Sequence, residues 1–270
     1  MKKILLFSPT GYIGRFIKER IQDENDIRLY EITRNSDLSQ YQDDYDVMIY
    51  SAAPSLAAAD KLVKDNVVTA MSIVNFCKER HVQRIIYLSS DSIYGEINTD
   101  VVTERNIMVN PGIYGVTKYL AESIIIESGI PYYILRMPGV VGRIWRKNFI
   151  SNLMSRIKNN ENVELYNIDR KFNNILDIDD LNRFIILLCN CENKEKNEIF
   201  LLGNTKNVEL REVVYFIKEL YHSTSQISSI DTDQKRYFTL DVTRAVEYGY
   251  CSKDIKTIIN ELYQILEQGS

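Results

Sequence analysis

Lys3–Phe7 is a short unbroken apolar run, as expected of a strand buried on both faces. A turn at Ser8–Gly11 follows. Ile13, Phe16, Ile17 and Ile21 then recur at helical spacing up to about Gln22. Further strands are predicted at Ile27–Ile32, Val47–Tyr50, Arg84–Leu88 and Pro131–Arg136. Helices are predicted at Asn66–Arg80, where Val67, Ala70, Met71, Val74 and Cys77 share a face, and at Ile113–Glu127. Strand and helix alternate, which implies parallel strands joined by crossover helices. The fold class is α/β, a doubly wound parallel sheet. After Gly142 the pattern changes to helices at Phe149–Lys158, Asp179–Cys189, Leu210–Tyr221 and Ser252–Leu266, with one strand at Glu198–Leu202. Residues 1–142 are therefore expected to form the sheet domain, with 176–203 returning to it. Residues 143–270 are expected to form a smaller α/β lobe for substrate.

Composition narrows the classes of function. The 270 residues carry 33 Lys plus Arg against 37 Asp plus Glu, a formal charge of −4 without a basic block. That gives no electrostatic footprint for nucleic acid or an anionic membrane. Hydrophobic residues at 45% and charged residues at 26% are those of an ordinary soluble protein and exclude disorder. The two histidines, His81 and His222, fall on different predicted elements, which disfavours histidine general-base chemistry and a multi-histidine metal site. No metal is expected. Cys77, Cys189, Cys191 and Cys251 form no CxxC motif and read as buried free thiols. MKKILLF imitates a signal peptide, but its apolar stretch stops at Ser8 and enters a turn. No run approaches the roughly 18 apolar residues of a membrane span, so a cytoplasmic protein is expected.

Three constellations carry chemistry. In LLFSPTGYIGRFI, Gly11 and Gly14 lack a Cβ, so backbone can approach a phosphate and the helix amino terminus offers N–H groups to it. A plain βα turn would also use two glycines. Glu31 stands at the end of the second strand, where an acid can bind adenosine ribose hydroxyls, and Arg34 could instead meet a 2′-phosphate. The two signals conflict, with NAD favoured and NADP possible. Tyr114 and Lys118 in PGIYGVTKYLAE lie one helical turn apart, about 6 Å along the axis. A tyrosine, with an ordinary pKa of about 10, becomes a useful base when a neighbouring ammonium favours the phenolate. A Tyr-x-x-x-Lys alone also arises by chance in a chain with 18 tyrosines. Finally, Ser89, Ser90 and Asp91 follow a strand at the sheet edge where open α/β folds bind ligands. A serine there can hold a substrate oxygen, or merely cap a turn.

Taken in order, TGYIG, DVMIYSAAP, RIIYLSSDSIYG, PGIYGVTK, ILRMPGVVG, NFISNLM, ILDIDDL, IFLLGN and LDVTRAVEYGY resemble the extended short-chain dehydrogenase/reductase family. The likeness is to its NAD-dependent epimerase/dehydratase group, whose members act on nucleotide sugars, and it implies a Rossmann-type sheet. By this resemblance Tyr114 is the catalytic acid/base, Lys118 lowers its pKa and holds the nicotinamide ribose, and Ser90 orients the reacting oxygen. Gly11, Tyr12, Ile13 and Gly14 meet the pyrophosphate, and Ala52, Ala53 and Pro54 lie beside the cofactor. Met137 and Pro138 flank the nicotinamide. Asn66 sits near substrate phosphates, and Asp91, Asn148 and Phe149 contact the sugar nucleotide. A homodimer through Asn66–Arg80 and Ile113–Glu127 is also implied.

Several positions depart from the family. Ser8 replaces its first glycine, and Asn173 falls where a phosphate-binding arginine is usual, leaving Arg170, Lys171 or Arg236 as substitutes. Asp91 is followed by Ser92 rather than Glu, which disfavours a dehydratase. A nucleotide-sugar 4-epimerase is the leading expectation and a 4-keto-6-deoxy-sugar reductase the close alternative. A non-catalytic dinucleotide sensor or scaffold stands behind both.

Overall fold

A computed structural model of the chain describes residues 1–51, 57–191, 196–232 and 238–268. Ala52, Ala53, Pro54 and Arg236 lie outside them. The chain divides into two compact units. The first comprises Met1–Glu96, Ile107–Met137 and Asn182–Phe200; the second comprises Ile97–Asn106, Pro138–Leu181 and Leu201–Ser270.

In the first unit, strands β1 (Lys2–Phe7), β2 (Ile27–Ile32), β3 (Val47–Tyr50), β4 (Arg84–Ser90), β5 (Tyr132–Met137) and β6 (Glu198–Leu201) form one sheet in the order β6-β5-β4-β3-β1-β2. The pairs β2–β1, β1–β3, β3–β4 and β4–β5 run parallel. Every residue of β3 and β4 is buried, which is why these strands read as continuous rather than alternating apolar runs. Helices α1 (Tyr12–Gln22), α2 (Thr69–Glu79) and α3 (Ile113–Ile126) cross between strands. Ile73, Val74 and Cys77 of α2 and Ala121 and Ile125 of α3 share a core with Leu5, Met48, Ile85 and Ile134 of the sheet. Full burial of each large aliphatic side chain there stabilises the fold by about 1.5–3 kcal/mol.

The helix expected over Asn66–Arg80 begins earlier and is not uniform. The chain is already helical at Ala59–Leu62, widens into a π-helical turn over Val63–Val68, and tightens again as α2. A π turn carries extra backbone per revolution, and here Asp65 and Asn66 of that turn are buried.

The second unit is built on helices Phe149–Lys158, Leu210–Leu220 and Ile255–Gln268, whose Leu153, Ile157, Val213, Ile217, Ile258 and Leu262 belong to one core. The last of these was expected from Ser252. It starts at Ile255 because the Asp254 carboxylate accepts the Lys256 N–H at 2.9 Å, as a helix cap does. Among the described residues, four strand pairs of two to four residues accompany the helices. One joins Val101–Val102 to Thr239–Leu240, so residues 97–106 belong here rather than to the sheet unit.

The four cysteines are free, but the expectation that all are buried needs correction. Cys77 and Cys189 are buried, Cys191 is half-buried and Cys251 is exposed beside the turn that precedes the last helix. Among the described residues no helix is long and apolar enough to cross a membrane.

Ser8 takes a left-handed backbone, φ 67°. This conformation costs a residue with a Cβ about 1–2 kcal/mol, which accounts for glycine at this position in related turns. Ser8→Gly removes that strain and adds up to about 1 kcal/mol of unfolded-state entropy. A net gain of about 0.5–1 kcal/mol is expected, read as a Tm higher by about 1–3 °C. A lower Tm would mean that the serine hydroxyl stabilises the turn more than its backbone strains it.

Candidate active site

The turn after β1 is shaped by close backbone approach. A Cβ on Gly14 would lie 2.0 Å from the Ser8 carbonyl oxygen and 3.1 Å from Ser51 Oγ, so only glycine lets α1 start this near the strand end. Gly11 precedes α1 in an extended conformation, no side chain among the described residues caps the helix, and its first turn holds no acid. Gly11, Tyr12 and Ile13 are half-buried. Main-chain donors and the positive end of the helix dipole here suit a pyrophosphate, and the Gly14 cradle leaves space only for backbone.

At the end of β2, Glu31 is exposed and pairs with Lys18 at 2.7 Å. Arg34 Nη1 lies 2.8 Å from Asp65 Oδ1, and Lys61 Nζ lies 2.7 Å from Asp65 Oδ2. The Asp65 side chain is only 3% exposed, so Arg34 is anchored to a buried carboxylate rather than swinging in solvent.

Tyr114 and Lys118 lie on successive turns of α3. Tyr114 is half-buried, whereas Lys118 is 2% exposed. The Lys118 ammonium donates to the Leu88 carbonyl and sits 4.3 Å from the centre of the Tyr87 ring. Burial pushes its pKa down to about 7, against the opposing pull of the Glu122 carboxylate. The first turn of α3 is seated on the Ser90–Ser92 turn through Gly115, where a Cβ would lie 2.2 Å from the Ser92 carbonyl oxygen. Ser90 ends β4 and caps the following 3-10 turn, Asp91–Tyr94, accepting the Ser92 N–H at 3.2 Å. Its hydroxyl also lies 3.3 Å from Asp91 Oδ1 and 3.1 Å from Ser92 Oγ. Capping a turn and presenting a hydroxyl at the sheet edge are therefore compatible in one residue.

Asp91 is half-buried, and desolvation raises its carboxyl to about 6 despite hydrogen bonds from Ser90 and Ser92 that favour the charged form. A raised acid costs stability where the unfolded chain has released its proton and the folded one still holds it, so the cost grows as pH rises from about 4 through 6 and is constant above that. Asp91→Asn is expected to leave stability near wild type at pH 4 and to raise it by about 2 kcal/mol at pH 8. Urea unfolding at the two pH values measures this; an equal effect at both would mean that ionisation is irrelevant.

Asn66, expected near substrate phosphates, is held in the interior. It is 0% exposed, its Nδ2 donates to Thr117 Oγ1 at 2.9 Å, and Thr117 Oγ1 donates to the Tyr114 carbonyl at 2.9 Å. The π turn carries the side chain into the interior, where it braces the start of α3. Asn66 Oδ1 has no partner among the described residues. Met137 ends β5 in register with Ser90.

Pro138, Asn148 and Phe149 belong to the second unit. Asn148 Oδ1 accepts the Ser151 N–H at 2.9 Å as the cap of helix Phe149–Lys158, so this amide oxygen is already engaged. Phe149 is 40% exposed and packs on Phe172 at 6.0 Å between ring centres. Asn173 is 1% exposed and is a structural clamp: its Nδ2 donates to the Asn204 and Leu240 carbonyls, and its Oδ1 accepts the Leu240 N–H. Of the cations considered in its place, Arg170 pairs with Asp100 at 3.0 Å and Lys171 with Glu209 at 3.4 Å.

Sequence reasoning passed over Tyr87, Glu122 and Arg136. Two signals marked the charged pair: Arg136 interrupts the apolar strand YYILRM, and Glu122 continues the Tyr114–Lys118 stripe by one more turn.

The model of the NAD dependent epimerase/dehydratase family matches residues 9–203. Among curated proteins none matches the chain in sequence. Solved structures do. UDP-glucuronic acid 4-epimerase from Bacillus cereus, in complex with NAD, superposes with a TM-score of 0.84 at 18% identity, covering 98% of this chain and 99% of that one. UDP-N-acetylglucosamine 4-epimerase from Bacillus cereus gives 0.78 at 19%, covering 100% and 98%. RMD from Pseudomonas aeruginosa, complexed with NADPH, gives 0.79 at 17%, covering 99% and 100%. Identities this low establish a shared fold.

Proposed function

Because the chain belongs to the NAD dependent epimerase/dehydratase family, we propose that it is an NAD-dependent nucleotide-sugar 4-epimerase with Tyr114 as its acid/base. The observation that carries this reading is the buried Lys118 one turn beyond a solvent-reached Tyr114, on a helix seated against the Ser90 turn. The 4-epimerases of UDP-sugars among its structural neighbours support the same reaction.

NAD, held at the start of α1, would supply the hydride acceptor for oxidising a sugar carbon and the donor for reducing it again. Around it, Tyr114 takes the proton of the sugar hydroxyl as the carbonyl forms and gives it back on reduction. The Lys118 ammonium favours the phenolate that this requires. Ser90 donates to the same oxygen and holds it near Tyr114. The main-chain N–H groups at the start of α1 hold the pyrophosphate, and Glu31 the adenosine ribose. Asp91, Phe149 and Arg236 are assigned to the nucleotide sugar, and Met137 and Pro138 to the nicotinamide. NAD is preferred over NADP because Arg34, the cation available to a 2′-phosphate, is held by the Asp65 carboxylate.

The test offers UDP- and dTDP-hexoses and their 4-keto-6-deoxy derivatives with NAD, NADH, NADP or NADPH. Reduced-nicotinamide absorbance and sugar NMR are followed together. Interconversion of two hexoses without net cofactor change is the expected result. Stoichiometric loss of reduced cofactor with a keto sugar would make it a reductase. Silence on every sugar with dinucleotide still bound would make it a sensor.

A homodimer is proposed through the end of the π turn, α2 and α3, where Val68, Met71, Ile113 and Leu120 are left 44–53% exposed. Sedimentation equilibrium should return twice the chain mass; a monomer at micromolar concentration would refute it.

A further inference from the structure

A second set of polar side chains lies buried in the first unit, outside the chemistry assigned to Tyr114, Lys118 and Ser90. Glu122 is 0% exposed and Arg136 is 5% exposed. Arg136 Nη2 donates to Glu122 Oε2 at 2.8 Å, and Arg136 Nε lies 3.2 and 3.3 Å from the two carboxylate oxygens. The other guanidinium arm donates to the Tyr94 hydroxyl at 2.8 Å. The Ser89 hydroxyl donates to Glu122 Oε1. Four elements are thus tied at one point: β4, the 3-10 turn, α3 and β5.

Each member is a near neighbour of a residue assigned to the reaction. Ser89 precedes Ser90, and Tyr94 closes the turn that Asp91 opens. Glu122 lies one helical turn beyond Lys118 and two beyond Tyr114. Arg136 precedes Met137. Ser89 pairs in register with Arg136, as Ser90 does with Met137. Successive strand residues face opposite ways, so a clamp on Ser89 and Arg136 fixes the backbone that presents Ser90 and Met137. Lys118 meets the Leu88 carbonyl and the Tyr87 ring from β4, and Glu122 from its own helix. Glu122 is in turn bound to Arg136 of β5.

A buried ion pair is seldom more stabilising than apolar side chains of the same volume, so this one is not explained by stability. We propose that Glu122 and Arg136 form a positioning pair that holds Tyr114 and Lys118 opposite Ser90. The proposal rests on the reading of those three residues given above.

The experiment compares Glu122→Leu/Arg136→Met, which removes both charges and leaves neither alone, with Glu122→Gln and with Tyr114→Phe. The double variant is expected to melt near wild type and to keep its KM for the nucleotide sugar while kcat falls about 10- to 100-fold. Glu122→Gln, which keeps an oxygen for Arg136 and Ser89, should recover part of that loss. A folded double variant with wild-type kcat would overturn the proposal and make the pair a core filler. Should the double variant fail to fold, Glu122→Gln decides alone: reduced kcat at unchanged KM supports the pair, and unchanged kcat removes it. Turnover by Tyr114→Phe would instead remove the functional reading and this inference with it. An inactive Tyr114→Phe beside fully active Glu122 variants would remove this inference only.

Discussion

Tyr114→Phe is expected to lower kcat by about 100- to 10,000-fold, the usual contribution of a positioned acid/base. Dissociation of NAD should change by less than about twofold, since the ring and its packing remain and only one hydroxyl is lost. Its position explains the size of the effect. Lys118, one turn along, is sealed between the Leu88 carbonyl and the Tyr87 ring, where solvent does not screen its charge. An ammonium in such surroundings stabilises a neighbouring phenolate far more than a surface lysine would. Phenylalanine leaves that charge in place with nothing to act on. Stopped-flow nicotinamide absorbance with the preferred sugar reads the chemical step directly. A variant within tenfold of wild type would transfer the acid/base role elsewhere.

Gly14→Val should have the second largest consequence, this time on binding and folding together. The first added carbon already falls 2.0 Å from the Ser8 carbonyl oxygen, less than two-thirds of an ordinary contact, and valine adds two more. The atom met at 2.0 Å is backbone, so no side-chain rotation relieves that clash. Either α1 moves away from β1, or the Ser8 turn changes shape. In both cases the amides at the start of α1 leave their position. Dinucleotide affinity should fall by at least about 100-fold and stability by several kcal/mol, in the range of overpacked cores. Isothermal titration with NAD and urea unfolding measure the two. Wild-type affinity would show that the turn does not cradle the dinucleotide.

Much of the first unit was legible because a doubly wound sheet writes its strands plainly. Ile27–Ile32 and Val47–Tyr50, and in the second unit helix Phe149–Lys158, have the bounds that their apolar patterns predict. Other features leave no such trace. The strand pair Val101–Val102 with Thr239–Leu240 is two residues long and joins distant segments, so it has no period to detect. The π turn at Val63–Val68 differs from an α-helix by a change of spacing inside an otherwise helical pattern, and the burial of Asn66 follows from it. Asn173 marked a departure from the family, but its three backbone hydrogen bonds depend on where Asn204 and Leu240 arrive in space. The Glu122–Arg136 pair was half visible, because a lone charge in an apolar strand demands a partner that the sequence does not name.

The sheet takes its last strand late. β6 lies beside β5, yet residues 138–197 come between them in the chain, and 138–181 of these belong to the second unit. During synthesis β5 is therefore made with one side unpaired, and it stays so until Glu198–Leu201 leaves the ribosome. Tyr132–Met137 is almost wholly apolar, and an open apolar edge is a template for pairing with a neighbouring chain. A fragment cut after residue 142 would keep that edge permanently, so the first unit should be recovered as a soluble piece only when residues 182–201 are supplied with it. The long detour of the chain makes the growing polypeptide, rather than the finished protein, the form most in need of a chaperone.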